Sequence, residues 1–598
     1  MTRYAHAMPF GTELRDDGVA FRLWAPSQER ASVIVDGVEH ALAPRADGWF
    51  ERTLRDARAG SRYAFAFPGF GVHVPDPASR FQPEGIHAPS EVIDPRAYAW
   101  RENAWRGRPW HEHVLYELHV GTFTPGGTYA SAVERLDDLV RLGVTAVELM
   151  PLGQPAGARN WGYDGVLPFA PQYAYGTPDQ LKAFVDAAHA RGLAVFLDVV
   201  YNHFGPEGNY LHAYAGTFFT DRHHTPWGAA LNVDGEGAHT VREFFVQNAL
   251  YWIGEYRLDG LRLDAVHEIR DDSRRPFLDE LAARIRAAVE PDRCVHLVLE
   301  NDANEARRLT VYDAQWNDDV HHALHVLATG ESDGYYRDYA AAPARLLARA
   351  LAEGFAYQGE PSAHRGDMPR GEPSASLPST AFVDFLQNHD QIGNRALGER
   401  ISVLAPDDAV RAATAVLLLA PAIPLLFMGE EWAASTPFLF FSDFGEELGR
   451  AVTEGRRREF AAWAAFSDPA TRERIPDPQD AATMRASALR WDERAQPPHA
   501  PALAFHENLL ALRAGLIVPR LAHGAHGDGY QVLARTAIRV KWRFGDGSGL
   551  GVIANLGPEP AVVSYAIGGV RIFALGEVPA HADAATLPPW SVAWFLES

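Results

Sequence analysis

Apolar and polar positions alternate in this chain at two different scales. Over the first hundred residues, Val19–Trp24, Ala31–Val35, Trp49–Leu54 and Arg62–Phe67 are short segments rich in β-branched and aromatic side chains. Turn signals such as Asp16-Asp17-Gly18 and Asp36-Gly37 separate them, and short strands at this spacing predict a β-sandwich. The proline-punctuated stretch from His87 to Pro109 reads as a linker or wrap-around segment. From about Val114 the rhythm changes. Short apolar runs at Val114–Val120, Ala146–Leu149, Ala194–Val200, Leu258–Leu263, Val295–Leu299, Asp313–Trp316, Ala381–Phe385 and Ile423–Phe427 alternate with amphipathic stretches such as Tyr129–Leu142 and Pro178–Arg191. Eight strand–helix repeats predict a parallel (β/α)8 barrel, with long inserts after the third, sixth and eighth strands. After a helical segment at Ala502–Ala514 the chain turns β-rich again, from Tyr530 to Phe595. The glycine cluster at 545–549 fails the spacing of a dinucleotide loop and reads as a hairpin turn. The fold class is therefore multidomain α/β: an N-terminal β-sandwich over 1–100, a barrel over 101–500 and a C-terminal β-sandwich domain over 501–598.

Composition narrows the chemistry. Lys and Arg total 55 against 77 Asp and Glu, a net charge of −22, which argues against a nucleic-acid partner because phosphate affinity is supplied largely by basic side chains. The single cysteine, Cys294, excludes an intrachain disulfide and any cysteine-based metal cluster, and points to a reducing compartment. Only two lysines occur, Lys182 and Lys541, and neither follows a glycine, so no Walker-type loop exists. Met1–His6 opens no apolar run, so no secretory leader is expected. The longest apolar stretch, Ala415 to Gly429, contains two prolines and falls short of the ~18 residues of a membrane span, so it reads as buried core. The expectation is a cytoplasmic protein with a neutral ligand, no membrane partner and no cofactor or metal.

In such a barrel, polar residues at the C-terminal ends of strands are the catalytic candidates. That filter leaves Asp198, Asn202 and His203 after the third strand, Arg262 and Asp264 at the fourth, Glu300 at the fifth, and His389 and Asp390 after the seventh. A lone acid after a strand is usually a helix cap. Three acids on three strand ends, each with Arg, His or Asn nearby, exceed what capping needs. Arg262 and Asp264 stand two residues apart and share a strand face, where the guanidinium would keep the carboxylate ionised, as a nucleophile requires. Glu300 follows an apolar run that would raise its pKa toward general-acid duty. Neighbouring strands lie ~4.8 Å apart, compatible with the ~5–5.5 Å carboxyl separation of retaining glycosidases. A metal-dependent hydrolase is the main rival, but His111-Glu112-His113 precedes the first strand, His321 and His322 should diverge on a helix, and no His-Glu-x-x-His motif occurs. A non-catalytic glucan-binding protein would suit the aromatic load but has no need of focused carboxylates.

These strand ends carry a resemblance to the α-amylase superfamily of glycoside hydrolases. Its four blocks match Asp198–His203, Leu261–His267, the Glu300 strand end and the His389-Asp390 pair, and longer phrases match at 161–165, 201–210, 261–269, 315–322 and 387–395. The resemblance spans essentially the whole chain. It implies Asp264 as nucleophile, Glu300 as acid/base and Asp390 as transition-state stabiliser. Arg262, His203 and His389 would hold the sugar in the cleavage subsite and Tyr163 would stack on it. Gln391 and Asn394 would also bind substrate, with His267, Glu268, Asn317, Asp318, Asp319 and His322 toward the leaving group. The longer phrases imply malto-oligosyltrehalose as substrate, the product of a malto-oligosyltrehalose synthase, cleaved next to its terminal trehalose. Glycogen branching and debranching enzymes share the front domain and all four blocks and remain the alternatives.

Overall fold

The computed structural model describes residues 4–462, 466, 468–579 and 581–598, so Met1–Arg3 of the opening segment lie outside the described residues. Each of the eight apolar runs beyond residue 114 forms a parallel strand: β1 Leu115–Leu118, β2 Ala146–Leu149, β3 Ala194–Val199, β4 Gly260–Leu263, β5 His296–Leu299, β6 Ala314–Trp316, β7 Phe382–Phe385 and β8 Ile423–Phe427. They close into a barrel in chain order, β8 pairing back onto β1. Strands buried on both faces need apolar residues at consecutive positions, not alternate ones. All five residues of β8 are accordingly buried. The run from Ala415 is thus core, spent on the end of the helix Asp407–Leu419 and on β8. No helix among the described residues is long and apolar enough to cross a membrane. The predicted helix over Tyr129–Leu142 divides into Tyr129–Val133 and Leu136–Leu142. The break falls at Arg135, whose guanidinium settles over the Trp491 ring at 4.6 Å.

Ahead of the barrel stand two four-stranded antiparallel sheets. One holds Gly11–Arg15, Gly18–Trp24, Trp49–Leu54 and Ala43–Pro44; the other holds Val38–Ala41, Ser32–Val35, Arg62–Ala66 and Ser90–Glu91. Val19, Phe21, Val33 and Phe65 are fully buried among them. Gly18 is required at its turn: its φ is +130°, and a Cβ there would meet the Leu54 carbonyl at 2.2 Å. The 87–109 segment wraps rather than links. Its Trp100 is fully buried, and Trp105 Nε1 donates to Asp259 at 2.8 Å. A buried ionic joint adds to this seam, where Glu255 accepts from Lys182 Nζ at 3.2 Å and from Arg80 Nη2 at 3.4 Å. Burial alone would raise the Glu255 carboxyl, but the two cations hold it below its usual range.

After the helix His499–Leu512, the C-terminal region forms a five-stranded antiparallel sheet, ordered Ala525–Val532, Ala537–Phe544, Gly549–Asn555, Ser591–Glu597 and Val570–Leu575, beside the pair Ala561–Ala566 and His581–Leu587. The glycine cluster is the turn between its second and third strands, with Gly547 at φ +88°. Trp542 and Trp594 stack at 5.5 Å, and their indole N–H groups donate to the Leu351 and Ala415 carbonyls, fastening this sheet to the barrel.

Candidate active site

The side-chain period of two places Arg262 and Asp264 on one side of β4 and its extension. The Arg262 side chain is 0 % exposed. Its Nη1 donates to Asp264 Oδ1 at 2.7 Å and to Asp198 Oδ2 at 2.8 Å, and its guanidinium lies 4.2 Å over the Trp316 ring. Asn202 Nδ2 donates to the other Asp264 oxygen at 2.9 Å. Asp264 is therefore held at both oxygens by N–H donors. The next residue, Ala265, is a non-glycine at φ +40°, a strained backbone of the kind that collects at functional sites. That geometry turns its N–H onto Glu300 Oε2 at 2.6 Å. Glu300 follows β5 and lines the cavity, and the same Oε2 lies 4.0 Å from Arg262 Nη2. Burial pushes Glu300 well above the usual carboxylate range; Arg262 opposes this, and the charges of Asp264, Asp318 and Asp390 add to it. Two carboxyl groups thus stand at one guanidinium, Asp264 bonded to it at 2.7 Å and Glu300 4.0 Å from it.

The end of β7 supplies the third acid. Asn388 caps the short helix His389–Gly393 by accepting from the Gln391 N–H at 2.9 Å. His389 Nε2 lies 3.3 Å from Asp390 Oδ1, and Asn394 Nδ2 donates to the same oxygen at 3.2 Å. Burial alone would raise Asp390, but the charges of His389 and Arg262 hold it below its ordinary range. Tyr163 stacks on the His389 ring at 4.9 Å and donates its hydroxyl to Asp198. Burial brings Asp198 up to about 7 despite Arg262.

These groups surround a cavity of about 510 Å3 at the barrel mouth. Of the residues expected from the sequence, Tyr163, His203, Asp264, His267, Glu300, Asp318, His322, His389, Asp390, Gln391 and Asn394 all line it. Arg262 lies beneath the floor. Glu268 does not line this cavity; it lies in a neighbouring groove that shares His267 and Asp302 with it. Asp198 and Asn202 stand behind the lining as partners of Arg262 and Asp264, and Asn317 and Asp319, expected toward the leaving group, do not line the cavity either. Asn317 is buried and donates to the Gly354 carbonyl at 3.0 Å and to Asp384 at 2.9 Å. Asp319 is 0 % exposed and accepts from Arg370 Nη1 at 2.8 Å, from the Ala356 N–H at 2.7 Å and from the Tyr339 hydroxyl. The reason is local: Asp318 opens the helix Asp318–Thr329, where consecutive side chains fan about 100° apart instead of sharing a wall. On the same helix the His321 and His322 rings touch edge to face at 5.3 Å but take different partners. His321 turns to the Leu386 carbonyl and Tyr336, while His322 turns to the cavity.

Other lining residues carried no expected role. Trp227, at the tip of a hairpin formed by Phe219–Thr225 and Gly228–Leu231, is 51 % exposed and stacks on His203 at 4.3 Å. His364 sits in the turn between Glu360–Ser362 and Met368–Arg370, against Tyr335. Both come from the long inserts, whose presence was visible but whose course was not. Trp316 belongs to the matching stretch 315–322, and its ring faces Arg262 from β6 across the barrel. At the opposite end of the barrel His113 is fully buried against Phe196 and His296. Among the described residues His223, Asp234 and Asp272 bring possible metal ligands within 4.8 Å of one another. Arg222 already pairs with both of those carboxylates, at 3.1 and 3.6 Å.

Comparison with known proteins follows the same lines. Residues 93–227 match the family model described as the α-amylase catalytic domain, and residues 525–594 match a domain of unknown function. A malto-oligosyltrehalose trehalohydrolase of Deinococcus radiodurans is 45 % identical over 83 % of this chain and 81 % of its own length. The enzyme of the same name from Arthrobacter ramosus is 42 % identical over 93 % of this chain and 97 % of its own. A crystal structure titled as a putative α-amylase from Salmonella typhimurium superposes with a TM-score of 0.92 at 43 % identity, covering 99 % of this chain and all of the other.

Proposed function

The chain belongs to the malto-oligosyltrehalose trehalohydrolase family, and from that premise we propose that it hydrolyses the α-1,4 bond next to the terminal trehalose of malto-oligosyltrehalose, with retention. Asp264 attacks the anomeric carbon while Glu300 protonates the departing trehalose oxygen; the covalent glycosyl-enzyme is then opened by water, from which Glu300 takes the proton. Asp390, ionised beside His389, strengthens its hold on the sugar hydroxyls as positive charge develops on the ring. Tyr163 and Trp227 offer aromatic faces to the glucose units. The substrate would come from a malto-oligosyltrehalose synthase, and the single cysteine supports the cytoplasm as the compartment. The domain limits we assign are 1–100, 101–500 and 501–598.

The observation that carries this reading is the contrast at Arg262: Asp264 bonded to the guanidinium at 2.7 Å, Glu300 4.0 Å from it and pushed well above the carboxylate range. A carboxyl raised by burial suits the general acid, and the neighbour bonded directly to the guanidinium suits the nucleophile. Products from a malto-oligosaccharide, its trehalose-ended counterpart and a branched glucan, followed by proton NMR, test it. The α-anomer should appear first, and kcat/KM should favour the trehalose-ended chain by at least about tenfold. Initial β-anomer would overturn the retaining mechanism. Equal cleavage of both linear chains, or preferential attack on the branched glucan, would overturn the substrate.

A further inference from the structure

Below the cavity floor, Glu117 of β1 and Glu148 of β2 point into the barrel, each 1 % exposed. Glu117 clamps His389 across 272 residues of chain: Oε2 accepts the His389 backbone N–H at 3.0 Å and Oε1 faces the ring Nδ1 at 2.5 Å. The other ring nitrogen, Nε2, faces Asp390 Oδ1 at 3.3 Å. A neutral imidazole carries one proton. Donating it to Glu117 would set the Nε2 lone pair against a carboxylate oxygen; donating it to Asp390 would set the Nδ1 lone pair against Glu117. Carboxylates on both sides require both protons. We propose that Glu117 is a positioning residue for the hydrolysis, holding His389 as an imidazolium that in turn aims Asp390 and keeps it ionised. The inference rests on the reading of Asp390 as the transition-state stabiliser.

The groups around this chain agree with it. Burial opposes the charge on His389, yet Asp390 and Glu117 drive it well above the ordinary histidine range. Glu148 adds no second negative charge: burial and the charges of Glu117 and Asp198 push it far up, and its oxygens have no hydrogen-bond partner among the described residues. His119, beyond β1, adds no positive one, since burial brings it down to about 4. Tyr163 covers one face of the His389 ring, and its hydroxyl bonds Asp198 of β3. On the Asp390 side stand Arg262, which favours the carboxylate, and Glu300 and Asp318, whose carboxyls burial pushes up toward the neutral form. Glu117 is then the anionic anchor for the His389–Asp390 pair.

Glu117→Gln tests this. Glutamine offers one acceptor oxygen to two donors, the ring and the backbone N–H, and no charge. With the trehalose-ended chain, kcat is expected to fall at least about tenfold with KM within about threefold of wild type, and the acidic limb of the kcat–pH profile to move up by about one unit, because Asp390 then ionises later. Glu117→Asp keeps the charge on a shorter stem; its acidic limb should stay at the wild-type position while kcat drops. An unmoved limb in Glu117→Gln overturns the proposal, whether or not kcat falls. If that variant does not fold, Glu117→Asp decides, since a limb displaced there overturns the proposal equally. Wild-type cleavage is measured first: its absence on the trehalose-ended chain defeats the functional reading itself, and the limbs are then compared on whichever α-1,4-glucan the enzyme cleaves.

Discussion

Two stretches of polar sequence border the same cavity and behave differently. At the ends of β4 and β5, Arg262, Asp264 and Glu300 meet because strands present alternate residues to one side and adjacent strands align them. At the start of the helix after β6, Asp318 and Asp319 are neighbours in sequence and strangers in space. Asp318 enters the cavity, and burial with the nearby charge of Asp302 brings it up to about 7. Asp319 turns the other way into a buried cluster with Arg370, Tyr339 and the Ala356 N–H. One acid faces the cavity and is poorly neutralised; the next is sealed off and fully bonded. A change from strand to helix periodicity within one motif separates function from architecture.

The sharpest break in this comparison comes from Glu300→Gln, which removes the proposed proton donor at the strand ends. General-acid loss is expected to lower kcat by about 10²–10⁴-fold. Because Glu300 must be protonated to act and its pKa is raised, wild-type activity should decline as pH rises through that raised value. The alkaline limb should vanish from the residual activity of the variant; a limb that persists would place the acid elsewhere.

Next come the two aspartates. Asp319→Ala takes from Arg370 its buried carboxylate and leaves it only the half-exposed Asp302 at 3.4 Å, expected to cost about 3 kcal/mol and to bring an earlier urea transition, while the folded enzyme keeps its preference for trehalose-ended chains. Asp318→Ala should do the reverse, shrinking that preference below about threefold with little loss of stability. Exchange of these outcomes would mean that the helix start is rotated relative to the arrangement described. The smallest effect concerns pH. The folded-state pKa of Asp318 is raised to about 7 from an ordinary 3.8. The native state therefore binds the extra proton, and this group's contribution to stability declines as pH rises between those values. Asp318→Asn should raise the melting temperature at pH 7–8, and the gain should close toward pH 4. A gain independent of pH would refute the assignment.

Much of this was legible because the barrel writes itself as continuous apolar runs. The run at Ile423–Phe427 appears as the strand itself, and those at Ala194–Val200 and Ala381–Phe385 extend past their strands by one residue only. A strand end fixes where its next residue points, so Asp264 and Glu300 could be placed without coordinates. Asn317 and Asp319 could not, because sequence spacing inside a motif does not reveal the residue at which the helix begins. Glu117 was hidden differently. It stands within a strand, among positions that apolar patterning assigns to packing, and only the distant backbone of His389 gives it meaning. Trp227 required the course of a long insert, which no local periodicity encodes.

The buried joint between Arg80, Glu255 and Lys182 bears on how this molecule can be handled at the bench. Lys182 is 0 % exposed and bonded to Glu255 and to the Pro95 carbonyl. Its only fellow lysine, Lys541, keeps 28 % of its side chain in solvent, on the C-terminal sheet. Amine-reactive dyes, cross-linkers or resins applied to the native enzyme therefore find a single lysine, far along the chain from the carboxylates proposed to act in hydrolysis. Modification of Lys182 becomes a reporter that the seam has opened.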